Sequence, residues 1–120
     1  MSIVELETWE IAGGSEEQHH ELIRAWFRYV SDHHADLFAE WKSARYYRQL
    51  DHDERPTGRY IMLFEFRSPE GRRVYKARRG DFSGPYAEYK KADPYQVFDH
   101  SSVHEELWEP LETELWLDFD

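Results

Sequence analysis

Two glutamates and a tryptophan alternate near the start of the chain, where Glu5, Glu7 and Trp9 occupy every second position. In a β-strand, residues at this spacing lie on one face. Carboxylates beside an aromatic wall can have raised pKa values and act as general acids or bases. We therefore predict that Glu7 is a catalytic carboxylate and that Glu65, from a later strand, joins it on the same face. The alternative is a structural network in which arginines hold these carboxylates in ion pairs.

Histidines supply a second set of groups that titrate near neutral pH. His34 lies beside the apolar stripe of a long predicted helix, and a histidine facing a cleft there could move protons. We name His34 as a further catalytic candidate, with a half-exposed residue beside the core as the alternative. His19 and His20 lie in the first turns of the same helix, where we expect them to be solvated.

His100 and His104 are four residues apart. On a helix this spacing places two imidazoles on one face, an arrangement that suits zinc or a similar metal. A third ligand would have to come from elsewhere, and the chain has no HExxH pattern. A histidine-based metal site is therefore one alternative for the function.

Aromatic residues make up 17% of the chain and could line a ligand pocket. The candidate ligand-binding residues are Trp9, Tyr47, Phe64 and Tyr86. A second aromatic series follows the later helical region and consists of Tyr75, Phe82, Tyr86, Tyr89, Tyr95 and Phe98. Such side chains are often core, and a cleft between packed elements is itself walled by core side chains. The chain has no P-loop, dinucleotide-binding GxGxxG or GxSxG pattern.

Basic residues crowd one helical segment and could hold an anionic ligand. They are Arg72, Arg73, Lys76, Arg78 and Arg79, followed by Lys90 and Lys91. The alternative is a solvated helix face that pairs with the acidic residues of the chain.

Composition limits the class of protein. The 120 residues predict one domain, residues 1–120, that can bury a core without disulfides. There is no cysteine, which excludes a thiolate metal site and a cysteine nucleophile and favours a reducing compartment. The net charge of -10 argues against nonspecific nucleic-acid binding. No apolar run approaches the roughly 20 residues of a membrane span, so we expect a cytoplasmic protein.

Hydrophobic spacing predicts the elements that would position these residues. The predicted strands cover residues 3–11, 44–50, 59–67 and 113–119. The predicted helices cover residues 15–42, 68–92 with interruptions, and 102–111. The order strand, helix, strand, strand, helix, strand is that of the α+β ferredoxin-like split βαβ arrangement, a four-stranded antiparallel sheet with helices on one face. Trp9, Trp116 and several other aromatic residues are too many to leave exposed, so we predict a homodimer that stacks sheet on sheet.

This order, with its long first helix, strong third strand and aromatic second helical layer, resembles the dimeric α+β-barrel superfamily. That group includes antibiotic-biosynthesis-type monooxygenases, haem-degrading enzymes, EthD-like proteins and muconolactone isomerases. The resemblance implies a small-molecule cleft between the sheet and the helices or at the subunit interface. The haem-degrading branch uses an asparagine, a tryptophan and a histidine, and this chain contains no asparagine.

The sequence thus favours a homodimer that binds a small aromatic or otherwise planar molecule. A cofactor-independent monooxygenase or isomerase step with a Glu or His base is the catalytic version of this function. A non-catalytic binding or interaction protein with a structural charged network is the alternative. No cofactor is predicted, with haem or a divalent metal left open.

Overall fold

The computed structural model describes residues 1–11 and 13–119. The strands are β1 (Ile3–Glu10), β2 (Trp41–Leu50), β3 (Pro56–Phe66) and β4 (His104–Trp108). The helices are α1 (Glu16–Asp32), α2 (His34–Leu37), α3 (Pro69–Arg79) and α4 (Ala87–Ala92). Short 3-10 helices cover Gly84–Tyr86, Pro94–Val97, His100–Ser102 and Thr113–Leu115. The strands form one antiparallel sheet in the order β2-β3-β1-β4. The predicted α+β, ferredoxin-like fold class is therefore confirmed.

The first helix is shorter than the predicted 15–42. It ends at Asp32, beside two poor helix formers, and α2 and β2 follow. The apolar spacing nevertheless continues to Trp41, because Trp41 faces the same core from the start of β2 and is only 5% exposed. The apolar residues of α1, α2 and the start of β2 thus share one helical spacing although they belong to three elements.

Local sequence signals define α3 well. The hydroxyl of Ser68 accepts a hydrogen bond from the Gly71 N–H at 2.9 Å, and Pro69 occupies the first helical turn, where its missing N–H costs nothing. The helix ends at Gly80, whose φ of 53° lies in the left-handed region that glycine tolerates. On its inner face, Tyr75 is fully buried.

Strand register decides which side chains face the helices. Glu5 pairs with Phe64, Glu7 with Met62 and Trp9 with Tyr60. The helices pack on this face.
The ring centroid of Trp26 in α1 lies 5.9 Å from that of Phe64, and the Tyr75 ring lies 5.9 Å from that of Phe66. The face of β1 that carries Glu5, Glu7 and Trp9 is therefore the one that packs against the helices.

The last part of the chain differs from its prediction. Residues 104–108 form β4, which pairs with β1, although they lie within the predicted helix 102–111. Their sequence, HEELW, lacks apolar alternation, and only the free edge of β1 gives this segment its strand structure. The predicted strand 113–119 is also wrong, since it contains only the 3-10 turn Thr113–Leu115 and pairs with no strand in the described chain.

A polar clamp joins α2 to the region after α3. The Tyr86 hydroxyl donates to the Leu37 carbonyl at 2.6 Å and accepts from Arg78 Nε at 2.9 Å. Arg78 also donates through Nη2 to Glu40 Oε2 at 2.7 Å, which holds the pKa of Glu40 below its usual value. The clamp fixes the chain between α2 and β2 against the second helical layer.

Among the described helices, none is long and apolar enough to cross a membrane.

Removal of the Tyr86 hydroxyl should destabilise the fold. Tyr86→Phe leaves Arg78 Nε without its acceptor and the Leu37 carbonyl with one donor fewer. We expect the free energy of unfolding to fall by about 1–2 kcal/mol, measured by urea denaturation. Tyr47→Phe is the matched control, because the Tyr47 side chain is 47% exposed and should tolerate the change. Equal stabilities of the two variants would contradict a structural role for the clamp.

Candidate functional site

A cavity of about 370 Å³ lies between the helix-facing side of the sheet and the helical layer. Its aromatic lining comes from every layer of the fold and consists of Trp9, Trp26, Trp41, Phe64, Phe66, Tyr75, Phe82, Tyr89, Tyr95 and Phe98. Its charged lining consists of Glu5, Glu7, Lys76, Arg79, Lys90, Asp93 and Glu105. This volume and this mixture of apolar walls with a few charged groups are typical of small-molecule sites.

The aromatic walls are rigid and present flat surfaces. The rings of Trp9 and Phe98 are stacked, with centroids 4.1 Å apart and planes inclined by 13°. Trp41 meets Phe64 edge to face at 5.0 Å between centroids. Because each of these rings is held by another, the cavity offers preformed surfaces on which a planar ligand can stack.

Glu5 is a structural carboxylate. It is only 2% exposed, and Arg72 on α3 contacts its Oε1 through Nε at 2.8 Å and Nη2 at 2.7 Å. Lys76, one helical turn further on, places Nζ 3.3 Å from the same oxygen. The buried charge is thus paired by two cations, which ties α3 to β1.

Glu7 differs from Glu5 because no hydrogen bond or ion pair to its carboxylate is formed within the described residues. Burial raises the pKa of Glu7 from 4.5 to about 7, and the negative charges of Glu5, Glu105 and Asp93 add to the increase. The Lys76 ammonium opposes it only in part. Glu7 is therefore about half ionised at neutral pH and can both accept and donate a proton.

Three carboxylates meet at this end of the cavity. Glu5, Glu7 and Glu105 each have an oxygen within 4.8 Å of the others, and Glu7 and Glu105 are direct cross-strand neighbours. Arg72 compensates this cluster from α3, since it also lies 3.4 Å from Glu105. Arg72 and Lys76 thus compensate part of the negative charge of the cluster, and the raised proton affinity of Glu7 reduces the rest.

Of the residues predicted to form the site, Glu7, Trp9 and Phe64 do line the cavity. The prediction that Glu65 joins Glu7 is wrong, because Glu65 pairs with Val4 and lies on the other face of the sheet. Its contacts there are weak, with Lys42 Nζ at 3.9 Å and the Ser43 hydroxyl at 3.5 Å.

Tyr47 lies on the same open face as Glu65, because it pairs with Ile61 of β3, and it is half exposed. His34 and Tyr86 have structural contacts. His34 Nε2 lies 2.8 Å from the Trp41 carbonyl oxygen, and Tyr86 belongs to the clamp described above. The cavity lining does not include these three side chains.

The prediction that His100 and His104 share a helix face is wrong. His100 lies in a 3-10 turn, with Nε2 2.8 Å from the Tyr95 carbonyl, and His104 begins β4, with Nε2 2.9 Å from Glu106. In residues 1–11 and 13–119, neither histidine belongs to a group of three potential metal ligands.

His19 was expected to be solvated but is buried, with 1% exposure. It packs against Phe98 at 5.1 Å between ring centroids and against Tyr60 at 6.0 Å. Burial lowers the pKa of His19 to about 4, so the imidazole is neutral at physiological pH. Its spacing from Ile23 and Trp26, by four and then three residues, was the signal that it belongs to the buried helix face.

Comparison with known proteins identifies the fold class. No family model matches the chain, and no curated protein matches it in sequence. Among solved structures, a NIPSNAP family protein from Agrobacterium tumefaciens superposes with a TM-score of 0.63 at 15% identity, covering 93% of this chain and 95% of that one. SnoaB, a cofactor-independent oxygenase from Streptomyces nogalater, superposes with a TM-score of 0.58 at 12% identity, covering 96% and 98%.

A third neighbour, from Bacteroides fragilis, is described as a dimeric protein of unknown function with a ferredoxin-like fold. It superposes with a TM-score of 0.56 at 9% identity, covering 90% of this chain and 95% of that one. These structures confirm the predicted ferredoxin-like α+β fold, and the resemblance to them is one of fold alone. Identities this low do not transfer an activity.

The raised pKa of Glu7 should appear in the pH dependence of stability. Between pH 4.5 and 7 the folded protein binds a proton at Glu7 more strongly than the unfolded chain does, so the free energy of unfolding falls as the pH rises. Glu7→Gln removes this pH-dependent decrease in the free energy of unfolding, because glutamine does not titrate. We expect the variant to be more stable than the wild type by on the order of 2 kcal/mol at pH 8, allowing for partial exposure, and equally stable near pH 4.5.

Urea denaturation at the two pH values measures this difference. Glu65→Gln, on the opposite face of the sheet, is the control for the loss of a glutamate from the sheet. If Glu7→Gln and the wild type kept the same difference in stability at both pH values, the carboxylate would have an ordinary pKa.

Proposed function

We propose that the cavity binds a small, planar aromatic molecule and that Glu7 exchanges a proton with it, in the manner of a cofactor-independent oxygenase or isomerase. The observation that carries the proposal is an unpaired carboxylate with a pKa near 7 in a cavity walled by aromatic rings. A general base is most effective when its pKa lies close to the working pH.

Both reactions begin with the same step. The Glu7 carboxylate takes a proton from a carbon next to a carbonyl group or aromatic ring, and the electron pair of the broken C–H bond moves into the ring or carbonyl. In an isomerase, the protonated Glu7 returns the proton to a different carbon. In an oxygenase, dioxygen is the co-reactant: it forms a C–O bond with the carbanion, the proton on Glu7 passes to the resulting peroxide, and the hydroperoxide loses water to leave a carbonyl group. The fold likeness to SnoaB supports the oxygenase version by analogy only.

The alternative is a non-catalytic binding protein, and the Glu5 ion pairs are its supporting observation. Arg72 and Lys76 show that part of the charged network holds the structure together. In this alternative the cavity would still bind a ligand, but Glu7 would not exchange protons with it. Proton exchange therefore separates the two functions.

We also propose that the protein is a homodimer that packs through the open face of the sheet. Four half-buried apolar side chains share this face across β1 and β3: Val4, Leu6, Ile61 and Leu63. Trp9, contrary to the prediction from sequence, does not contribute to this face, because it is buried under the helices. Apolar faces of this kind commonly mark an interface between copies.

Isotope exchange tests the proposed chemistry. The probe is 2-tetralone, a bicyclic ketone with an acidic CH2 group, incubated with the protein in D2O and followed by proton NMR. We expect the wild type to accelerate the loss of the CH2 signal and Glu7→Gln to reduce that acceleration by at least roughly 100-fold. Glu105→Gln should keep the exchange and move its pH midpoint down, because one like charge beside Glu7 is removed.

Glu65→Gln is the control for the exchange experiment and should behave as the wild type. An exchange rate that is the same with and without protein, or the same in the wild type and Glu7→Gln, would rule out proton transfer by Glu7. Binding of the probe without exchange would favour the non-catalytic alternative.

The dimer is tested by light scattering. We expect a mass of twice the 14.6 kDa chain for the wild type and a shift to monomer for Leu63→Arg, which places a charge in the apolar face. Val74→Arg is the control, because Val74 is already 48% exposed on α3. A wild type that is monomeric at micromolar concentration would contradict the dimer.

A further inference from the structure

Three of the basic residues on α3 already have acidic partners. Arg72 and Lys76 contact Glu5, and Arg78 contacts Glu40. Arg79 differs, because it lines the cavity and forms no ion pair within the described residues. It lies three residues beyond Lys76, about 4.5 Å further along the helix axis.

Two aromatic rings hold the Arg79 side chain. The guanidinium carbon lies 4.6 Å from the ring centroid of Phe82 and 5.5 Å from that of Tyr75, and both rings line the cavity. Arg79 Nε is buried and has no hydrogen-bond partner among the described residues. A cation held in this way, with a buried donor unused, costs free energy until an acceptor reaches it.

Among the described residues, Asp93 acts electrostatically on Arg79 but forms no ion pair with it. Asp93 lines the cavity, but its carboxylate accepts the Tyr95 backbone N–H at 2.8 Å and lies outside ion-pair distance of Arg79. Burial raises the pKa of Asp93 even though the Arg79 charge acts in the opposite direction. Lys90, which is exposed and also lines the cavity, adds a second positive charge without an ion pair in the described chain. Two cations, Arg79 and Lys90, thus lie in the same part of the cavity as one carboxylate, which leaves a net positive charge there.

We propose that the ligand of the cavity is an aromatic carboxylate, with its acid group bound by Arg79 and its rings stacked on the aromatic walls. This inference rests on the proposed function, since it names the class of molecule that the same cavity takes. A planar guanidinium binds a carboxylate through two parallel hydrogen bonds, a geometry that a neutral ligand cannot reproduce. The neighbouring rings of Phe82 and Tyr75 favour a ligand whose charge is attached directly to a flat ring system.

A matched pair of probes tests the charge requirement. They are 2-naphthoate and 2-naphthamide, which share one ring system and differ in charge. Binding is followed by the quenching of tryptophan fluorescence, because Trp9, Trp26 and Trp41 all line the cavity. We expect the wild type to bind 2-naphthoate at least roughly tenfold more tightly than 2-naphthamide, the difference that a charged hydrogen-bonded pair typically provides.

Substitutions on α3 show whether Arg79 is the residue that causes the preference for the acid over the amide. Arg79→Gln should abolish the preference for the acid while keeping the affinity for the amide, which also shows that the cavity is still folded. Arg79→Lys should retain part of the preference for the acid, because the ammonium group keeps the charge but lacks the paired donors of the planar guanidinium. Arg73→Gln is the control, since Arg73 lies on the same helix but is exposed and does not line the cavity.

The outcomes distinguish a failure of the carboxylate inference from a failure of the proposed function on which it rests. Equal binding of the acid and the amide by the wild type would overturn the carboxylate inference and leave the aromatic cavity standing. A preference that survives Arg79→Gln would also overturn it, because the charge would then be bound elsewhere. Binding of neither probe would overturn both the proposed function and this inference.

Discussion

The placement of two glutamates on the helix-facing side of β1, Glu5 buried and Glu7 partly buried, is the constraint on which the rest of the site depends. Two carboxylates at this spacing, on one face of one strand, cannot both be ionised inside a protein without compensation. The two carboxylates are compensated in different ways. Arg72 and Lys76 pair with Glu5, and the same contacts join α3 to the sheet. Glu7 receives no such partner in the described chain, and its charge is instead reduced by a higher proton affinity.

This division of roles connects stability to function. Pairing at Glu5 fixes the distance between α3 and β1 and so helps to keep the cavity open. Burial raises the pKa of Glu7, and the negative charges of Glu5 and Glu105 raise it further. A structural ion pair and a titrating carboxylate two residues apart are therefore parts of one arrangement. The aromatic walls complete it, since they surround the Glu7 carboxyl group with apolar surface that disfavours its ionised form.

Much of the fold could be predicted from local signals. The β-rich run of β3 and the Ser68 and Pro69 start of α3 are visible in the sequence and confirmed by the structure. The end of α1 could not be read from spacing, because Trp41 keeps the helical period while lying in β2. The edge strand β4 has no signal of its own, since its structure comes from pairing with β1. Pairing with a distant strand determines the secondary structure of such segments, and this pairing cannot be predicted from the local sequence.

The site was predictable to the extent that strand alternation defines it. Alternation correctly grouped Glu5, Glu7 and Trp9, but it could not reveal how β1 and β3 are aligned. Pairing of Glu65 with Val4 places Glu65 on the other face of the sheet. A register shift of one residue reverses every side chain, so residues of different strands cannot be grouped by alternation alone. The role of Arg79 was hidden for a related reason, because a basic helix face does not show which of its cations has a partner.

The proton affinity of Glu7 is the central claim, and a carbon-13 NMR titration of the glutamate side-chain carboxyl groups tests it most directly. The Glu7 signal can be assigned by its absence from the spectrum of Glu7→Gln. The structure predicts a midpoint near pH 7 for this carboxyl group. A midpoint near the ordinary value of 4.5 would show that Glu7 is a solvated, permanently ionised carboxylate and would contradict its assignment as the proton-exchanging group.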